Sequence, residues 1–151
     1  MSLEDWVRAR ELRRQPTSRE EIRNILAVAD RDLETWGLSG MPADTKLGLA
    51  YNAALQSAKA ALRAAGYRAG SSAHHYRVIQ SLAYTIGLDE NSITLFDTFR
   101  KKRNISNYEL AGAVSETEAE EIYRLAKDIR TKVEEWLLQN HPELMESSPA
   151  P

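Results

Sequence analysis

The chain contains no cysteine, which excludes a disulfide framework and a thiolate metal site and fits a reducing compartment. No apolar run approaches the roughly 20 residues of a membrane-spanning helix. Residues 1–10, MSLEDWVRAR, lack the unbroken apolar core of a signal peptide. We therefore expect a soluble, cytoplasmic protein without a membrane partner.

The chain also lacks an excess of charge of either sign. Its 20 Lys and Arg residues and 22 Asp and Glu residues give a formal net charge of −2, so there is no overall electrostatic footprint for nucleic acid. Any contact with nucleic acid has to come from a local basic patch. A length of 151 residues fits one domain with a single core.

Strand-like alternation longer than four residues is missing, as are internal repeats and a glycine-rich phosphate loop. Apolar residues instead recur at steps of three and four, which is typical of helices. We predict an all-α, up-and-down bundle of about five helices over residues 17–141. Residues 1–16 are predicted to form a short helix that packs through Leu3, Trp6 and Val7, and residues 142–151 a flexible tail.

Polar residues and alanines mark the helices of the predicted bundle. The helices are expected to begin after or near Ser18, Asp44, Ser72, Ser92 and Ser115. Ser18 with Glu21, and Ser115 with Glu118, have capping-box spacing, and the alanine-rich second helix allows another helix to approach closely. The apolar faces predict these core residues: Ile22, Ile25, Leu26, Ala29, Leu33, Trp36, Leu47, Tyr51, Ala54, Leu55, Ala58, Leu62, Ile79, Leu82, Ala83, Ile86, Ile93, Leu95, Phe96, Phe99, Ile122, Ala126, Ile129, Val133 and Trp136.

Residues 100–108, RKKRNISNY, form a basic stretch. On a helix, several of its polar side chains fall on the same face as the apolar side chains that precede them. On a helix, Arg103 lies about 20° from Phe96, Asn107 about 20° to the other side, and Arg100 about 40° away. These polar groups continue the stripe begun by Phe96 and Phe99, which should face another helix or subunit. Arginine is costly there unless it is paired or the surface is a cleft. The residues leave two interpretations open: a basic helix end in water, favoured by the helix dipole, or a functional cleft.

The pattern Arg103-Asn104-x-x-x-Tyr108 resembles the Arg-polar-x-x-x-His signature of HEPN domains, in a divergent form of the toxin–antitoxin type. LAYNAALQSAKAALRAAGYR is similar to the alanine- and aromatic-rich second helix of that family, and SSAHHYRVIQSL to the segment that follows it. RKKRNISNYELAGAVSETEAEEIYRLAKDIRTKVEEWL resembles the motif region and the last helix. The resemblance covers residues 20–138. It implies an all-α fold, a homodimer and, in many members, a metal-independent ribonuclease.

The resemblance also implies roles for individual residues. In active members, Arg and His from two protomers line a cleft, where His moves a proton and Arg stabilises the phosphorane. Carried over, this makes Arg103, Asn104 and Tyr108 the catalytic candidates, with Asn104 orienting the pair. Tyr108 replaces the His, and a phenol with a pKa near 10 is a poor general base at pH 7. On an uninterrupted helix Tyr108 lies about 140° from Arg103, so convergence requires a kink or a partner protomer.

Further residues are predicted to bind substrate. Arg100, Lys101, Lys102 and Asn107 are candidates for phosphate contacts, with Lys101 and Lys102 projecting toward water. His74 and His75 are candidates as well, the plainer interpretation being a capped or interfacial histidine near a helix start. One of the pair is expected to face inward, because adjacent helical residues are 100° apart. No cluster of His, Asp and Glu has the spacing of metal ligands, so no metal or cofactor is predicted.

Three functions are compatible with the sequence. The first is a toxin-like, metal-independent endoribonuclease whose neutralising partner is a nucleotidyltransferase-like antitoxin. The second is a HEPN-fold RNA-binding or protein-interaction module that cleaves weakly or not at all, which the Tyr108 substitution favours. The third is a plain helical scaffold. The RNA substrate and the biological trigger do not follow from the residues.

Overall fold

Six α-helices and one two-stranded sheet make up the described part of the chain. This computed structural model describes residues 2–70, 74–108 and 114–145, with side chains for all of these except 105–108. No helix in these ranges has both the length and the apolar character needed to cross a membrane. In chain order the elements are α1 (Leu3–Arg8), β1 (Leu12–Arg14), α2 (Arg19–Trp36), α3 (Ala43–Ala64), β2 (Tyr67–Ala69), α4 (His74–Ser81), α5 (Glu90–Tyr108), α6 (Glu116–Asn140) and a 3₁₀ turn (Pro142–Leu144). The predicted all-α helical bundle is confirmed.

Helix α3 lies at the centre of the bundle and contacts α2, α4, α5 and α6. Small side chains make this possible, because alanine lets neighbouring backbones approach while keeping a high helix propensity. Six alanines of α3 have no exposed surface: Ala50, Ala53, Ala54, Ala58, Ala60 and Ala61. They lie on more than one side of the helix, so α3 is enclosed over most of its length.

The predicted capping boxes form to different degrees. At the start of α6, Ser115 Oγ accepts a hydrogen bond from the Glu118 N–H at 3.1 Å, and Glu118 Oε1 accepts one from the Ser115 N–H at 3.0 Å. At the start of α2, Ser18 Oγ accepts from the Glu21 N–H at 3.1 Å. The Glu21 carboxylate turns away, however, and accepts a hydrogen bond from Thr17 Oγ1 at 2.7 Å. Only half of the predicted box at α2 is therefore present.

The two short strands were not predicted from the sequence. Each has three residues, which is too short for an alternating pattern to be recognised. They pair antiparallel, with Leu12 opposite Ala69, Arg13 opposite Arg68, and Arg14 opposite Tyr67. Gly66 has a φ of 98°, a conformation that glycine adopts readily, and it turns the chain from α3 into β2. The sheet ties the N-terminal segment to the end of α3.

The predicted third helix ends earlier than expected. The start expected near Ser72 lies outside the described residues, and α4 ends at Ser81. The Leu82 N–H donates to the Ile79 carbonyl at 3.2 Å, and the Tyr84 N–H donates to the Ser81 carbonyl at 2.9 Å. These i→i−3 hydrogen bonds turn the chain away from the path of the α-helix, so Ala83 is exposed. Ala83 is the only exposed residue among the predicted core residues.

Most other predicted core positions are buried. Six are partly buried and pack against the core instead: Ile25, Leu33, Trp36, Ile86, Leu95 and Trp136. Phe96 and Phe99 expose 0% and 2% of their surface within a single chain. Because these two side chains are buried within one chain, the apolar part of their stripe does not require a second protomer. One argument for a homodimer is thereby removed.

The N-terminal helix packs on the bundle as predicted. Trp6 exposes 5% of its surface and meets Tyr84 edge to face, with 5.2 Å between ring centroids. Leu3 and Val7 are partly buried against the same core. The Tyr67 hydroxyl also donates a hydrogen bond to Glu4 at 2.6 Å. Helix α1 is therefore held by one aromatic anchor and a polar contact to β2.

The C-terminal end is ordered further than predicted. The flexible tail was expected to begin at residue 142, but Pro142–Leu144 form a 3₁₀ turn. Leu144 and Met145 then pack against the core. Residues 146–151 of the predicted tail lie outside the described residues.

We expect Trp6→Ala to lower the free energy of unfolding by roughly 3 kcal/mol, because it removes a buried aromatic side chain and leaves a cavity. Urea denaturation monitored by circular dichroism measures this change. Leu38→Ala is the matched control, since Leu38 exposes 59% of its surface and its loss should change stability by less than about 0.5 kcal/mol. Equal stabilities of the two variants would show that α1 contributes nothing to the core.

Candidate functional site

Helix α5 brings Arg103 against Tyr51 of α3. Arg103 Cζ lies 5.2 Å from the centroid of the Tyr51 ring, and Phe96 meets the same ring edge to face at 5.6 Å between centroids. Arg103 and Phe96 thus share one helical face, as their spacing predicts. Because the face of an aromatic ring attracts a cation, Tyr51 holds the guanidinium at the inner side of α5.

Tyr51 links Arg103 to the start of α4. Its hydroxyl is hydrogen-bonded to His75 Nδ1 at 3.2 Å, which joins two residues far apart in the sequence. Burial raises the pKa of Tyr51 to about 12, while the positive charges of Arg103 and Arg100 act in the opposite direction. The phenol therefore keeps its proton at neutral pH and serves as a hydrogen-bonding group.

His75 is a half-buried histidine surrounded by positive charge. Burial, followed by the charges of His74 and Arg103, lowers its pKa to about 4. The imidazole is therefore neutral at pH 7, with one ring nitrogen free to accept a proton. The ring of His75 thus offers a base beside the cation of Arg103.

His74 lies next to His75 in this cluster. The centroids of the two histidine rings are 5.5 Å apart. Burial and then the charge of Lys59 lower the pKa of His74. One histidine of the pair was expected to face inward; both are half-buried, and His75 makes the contact with the buried Tyr51.

Arg100 and Lys101 share one carboxylate. Arg100 Nε donates to Asp97 Oδ1 at 2.6 Å, and Lys101 Nζ lies 3.6 Å from Asp97 Oδ2. The Arg100 guanidinium also lies 5.5 Å from the ring centroid of Tyr76. The Lys101 side chain is exposed, as predicted, whereas Arg100 is partly buried at the edge of the site.

Lys102 differs from its prediction. It was expected to project toward water, but its side chain is partly buried and Nζ lies 2.9 Å from Glu118 Oε2. Glu118 also completes the capping box at the start of α6, whose N-cap is Ser115. Lys102 therefore joins α5 to the start of α6, a structural contact that the basic run of the sequence did not indicate.

Three other candidates lie further along α5. Asn104, predicted to orient the catalytic pair, is exposed. Asn107 and Tyr108 belong to the last turn of α5, but their side chains lie outside the described residues. The predicted meeting of Arg103 with Tyr108 therefore stays a prediction.

Sequence reasoning missed Tyr51, Tyr76 and Asp97 as parts of the site. Tyr51 was assigned to the apolar face of α3, which is where it lies. The sequence feature that could have indicated its role is the hydroxyl group, because a buried tyrosine usually has a hydrogen-bond partner. The identity of that partner depends on the packing of α4 against α3, which periodicity does not reveal.

Within the described ranges, no group of three or more His, Asp or Glu residues is arranged to hold a metal ion. The chemistry available from the described side chains is that of a guanidinium, a neutral imidazole and a protonated phenol.

We expect the His75 ring protons to titrate with a midpoint near pH 4 rather than 6.5. Because the folded-state pKa is the lower one, protonation favours unfolding. The contribution of His75 to stability is therefore complete above pH 6.5 and is lost as the pH falls toward 4. NMR titration, with the resonance assigned from a His75→Gln variant, measures the midpoint, and a midpoint at pH 6.5 would contradict the buried, cation-lined environment.

Comparison with known proteins gives no relative from which to assign this site. No protein-family model, curated protein or solved structure matches the chain. The functional assignment therefore depends on the geometry of Arg103, Tyr51 and His75 and on the HEPN resemblance of the motif residues.

Proposed function

We propose that this protein is a HEPN-type, RNA-acting endoribonuclease that works without a metal ion. The observation that carries the proposal is the convergence of three groups. The guanidinium of Arg103 lies over Tyr51, and the Tyr51 hydroxyl is hydrogen-bonded to the His75 imidazole. A cation beside a base is the combination that cleavage of RNA by its own 2′-hydroxyl requires.

In this mechanism His75 moves the proton. Its neutral imidazole accepts the proton of the 2′-hydroxyl while O2′ forms a bond to the adjacent phosphorus. The bond from phosphorus to O5′ then breaks, and the imidazolium returns the proton to O5′, leaving a 2′,3′-cyclic phosphate. Arg103 stabilises the negative charge of the phosphorane.

Tyr51 has a positioning role in the same mechanism. For Nε2 of His75 to act as the base, Nδ1 must carry the ring proton and donate it to the Tyr51 hydroxyl oxygen. The raised pKa of Tyr51 keeps that oxygen a neutral acceptor. Tyr51 thus sets the tautomer of His75 and, through its ring face, the position of Arg103.

This proposal assigns the proton transfer to His75, whereas the motif resemblance assigns it to the position of Tyr108. A neutral imidazole is the better base at pH 7, because a phenol with an ordinary pKa keeps its proton there. Tyr108 and Asn104 stay candidates for substrate contact. Tyr108 can donate a hydrogen bond or stack on a base.

A second function, RNA binding without efficient cleavage, is favoured by the low pKa of His75. A pKa of about 4 leaves little imidazolium at pH 7 to protonate the leaving oxygen. The same cluster would then hold a phosphate through Arg103 and stack a base on nearby aromatic rings. The nucleotidyltransferase-like antitoxin that the resemblance implies would be the partner of an active toxin.

We expect purified protein to cleave single-stranded RNA in EDTA, and Arg103→Ala to reduce the rate by about 100-fold or more. His75→Gln should reduce it by a similar factor, since general acid–base catalysis contributes about 10²- to 10⁴-fold. Gel analysis of a labelled oligoribonucleotide measures the rates. Arg124→Ala is the control, because the Arg124 side chain is 74% exposed and makes only a long contact with Glu120 of its own helix.

The outcomes separate the two functions. Loss of cleavage in both site variants, with Arg124→Ala unchanged, supports the endoribonuclease. RNA binding without cleavage by the wild type, weakened by Arg103→Ala, supports the binding module. Both variants matching the wild type in binding and cleavage would remove the site from consideration.

The proposal includes a homodimer, because in the family a second protomer completes the cleft. We expect light scattering at tens of micromolar to give twice the chain mass of 17.0 kDa. Serial dilution serves as the control, since a true dimer dissociates reversibly. A mass of 17.0 kDa at the highest concentration would contradict the dimer without touching the assignment of Arg103 and His75.

A further inference from the structure

A second concentration of positive charge lies beside the site, in a groove between α2, α3 and β2. This feature, called the basic groove below, has a volume of about 490 Å³, within the size range of small-molecule sites. Its basic side chains are Lys59, Arg63 and Arg68. A pocket of about 360 Å³ adjoins it through Arg68 and is also lined by Arg13 and His74.

The two strands set like charges opposite each other. Arg13 of β1 is the direct cross-strand partner of Arg68 of β2. Side chains directly opposite in an antiparallel pair lie on the same face, and like charges there destabilise the sheet. Both arginines line the same pocket, so their repulsion would be relieved by an anion bound between them.

Lys59 is a further basic side chain that lies among other positive charges. Burial lowers its pKa, and the charges of Arg63 and Arg68 lower it further. Among residues 2–70, 74–104 and 114–145, no salt bridge involves Lys59, Arg68 or Arg13, although the charge of Arg68 contributes to lowering the pKa of Glu21. An ammonium group that is half-buried among cations favours a bound anion.

The acidic residues of the groove do not neutralise it. Arg63 Nη1 pairs with Glu21 Oε2 at 3.1 Å, and Glu21 also accepts the hydrogen bond from Thr17. Glu20 lines the groove too but is exposed. The groove and its adjoining pocket therefore carry four basic side chains against two carboxylates, in a chain whose net charge is −2.

The amide of Gln56 gives the groove one oriented polar group. Gln56 lines the groove, and its Nε2 donates to Asn52 Oδ1 at 3.3 Å. Asn52 in turn donates to the buried Asp32 carboxylate at 2.6 Å. Since the amide nitrogen of Gln56 is bonded inward, its oxygen is left as an acceptor for a polar group of a ligand.

We propose that the basic groove, together with the adjoining pocket, is a phosphate-binding site that takes a phosphate ester or polyphosphate through Lys59 and Arg68 of the groove and Arg13 of the pocket. The phosphate belongs either to a small molecule, such as a nucleoside polyphosphate, or to the backbone of single-stranded RNA that continues toward His75. Single-stranded RNA fits this geometry, because His74 lines the adjoining pocket and the centroid of its ring lies 5.5 Å from that of the His75 ring. The site itself does not depend on the proposed cleavage.

The test uses two probes and matched variants. Calorimetry with inorganic tripolyphosphate reports the phosphate site alone, and fluorescence anisotropy with a 2′-O-methyl oligoribonucleotide reports RNA binding without cleavage. We expect Lys59→Gln with Arg68→Gln to weaken binding by about tenfold or more, the scale of lost charge-assisted hydrogen bonds. The control pair, Arg124→Gln with Lys132→Gln on α6, removes the same charge outside the groove.

The outcomes are distinct. Binding of tripolyphosphate that is lost in the groove variant and kept in the control pair supports the site. The oligoribonucleotide binding in the same pattern, with a smaller salt dependence in the groove variant, identifies RNA as the source. No binding of either probe to the wild type overturns the inference, and so does equal loss in the two variant pairs.

The Arg103→Ala variant separates this inference from the proposed function. It should keep tripolyphosphate binding, because Arg103 does not line the groove. A loss as large as that of the groove variant would move phosphate binding to the candidate active site and overturn the groove. Thermal unfolding of each variant shows that a lost signal does not reflect a lost fold.

Discussion

The enclosure of α3 is the constraint on which the rest of the structure depends. A helix that is buried on several sides has small residues where its neighbours approach, and each polar side chain that it buries must find a partner inside the protein. An unpaired buried polar group costs about 1–3 kcal/mol. Tyr51, with 1% of its surface exposed, meets this condition through His75, and Arg63 does so through Glu21.

Both candidate sites arise from polar residues of this one helix. Tyr51 lies in the first half of the helix, where it contacts both Arg103 and His75. Lys59 and Arg63 lie near the end of the helix and line the basic groove. Eight residues separate Tyr51 from Lys59, a rise of about 12 Å along the helix. The regular rise of α3 therefore fixes the spacing between the proposed proton-transfer cluster and the proposed phosphate site.

The features that could be predicted are those that depend on neighbouring residues. The capping box of Ser115 and Glu118, the burial of Phe96 and Phe99, and the packing of Trp6 follow from spacing along a helix, and the structure contains them. The features that were missed depend on distant residues. The pairing of β1 with β2, the ion pair of Lys102 with Glu118, and the bond from Tyr51 to His75 each require the relative position of two elements, which the periodicity of a single chain does not specify.

The early end of α4 has a local cause that the periodicity concealed. Ser81 Oγ donates to the Val78 carbonyl at 2.6 Å, and Thr85 Oγ1 donates to the Ser81 carbonyl at 3.3 Å. Hydroxyl groups that bond to nearby carbonyls compete with a continuing helix. Leu82 and Ile86 kept helical spacing in the sequence, although the chain between them turns.

The two sites are joined by the electrostatics of His75. Arg103 on one side and Lys59 on the other both lower its pKa, after burial. A phosphate bound against either cation would offset that positive charge and raise the pKa of His75 from about 4 toward neutrality, because a nearby anion favours the protonated imidazole. The imidazolium that is scarce in the free protein would then be available when a phosphate is in place. The low pKa of His75 is for this reason compatible with the proposed catalysis, and the pKa of His75 in the phosphate-bound protein distinguishes cleavage from binding alone.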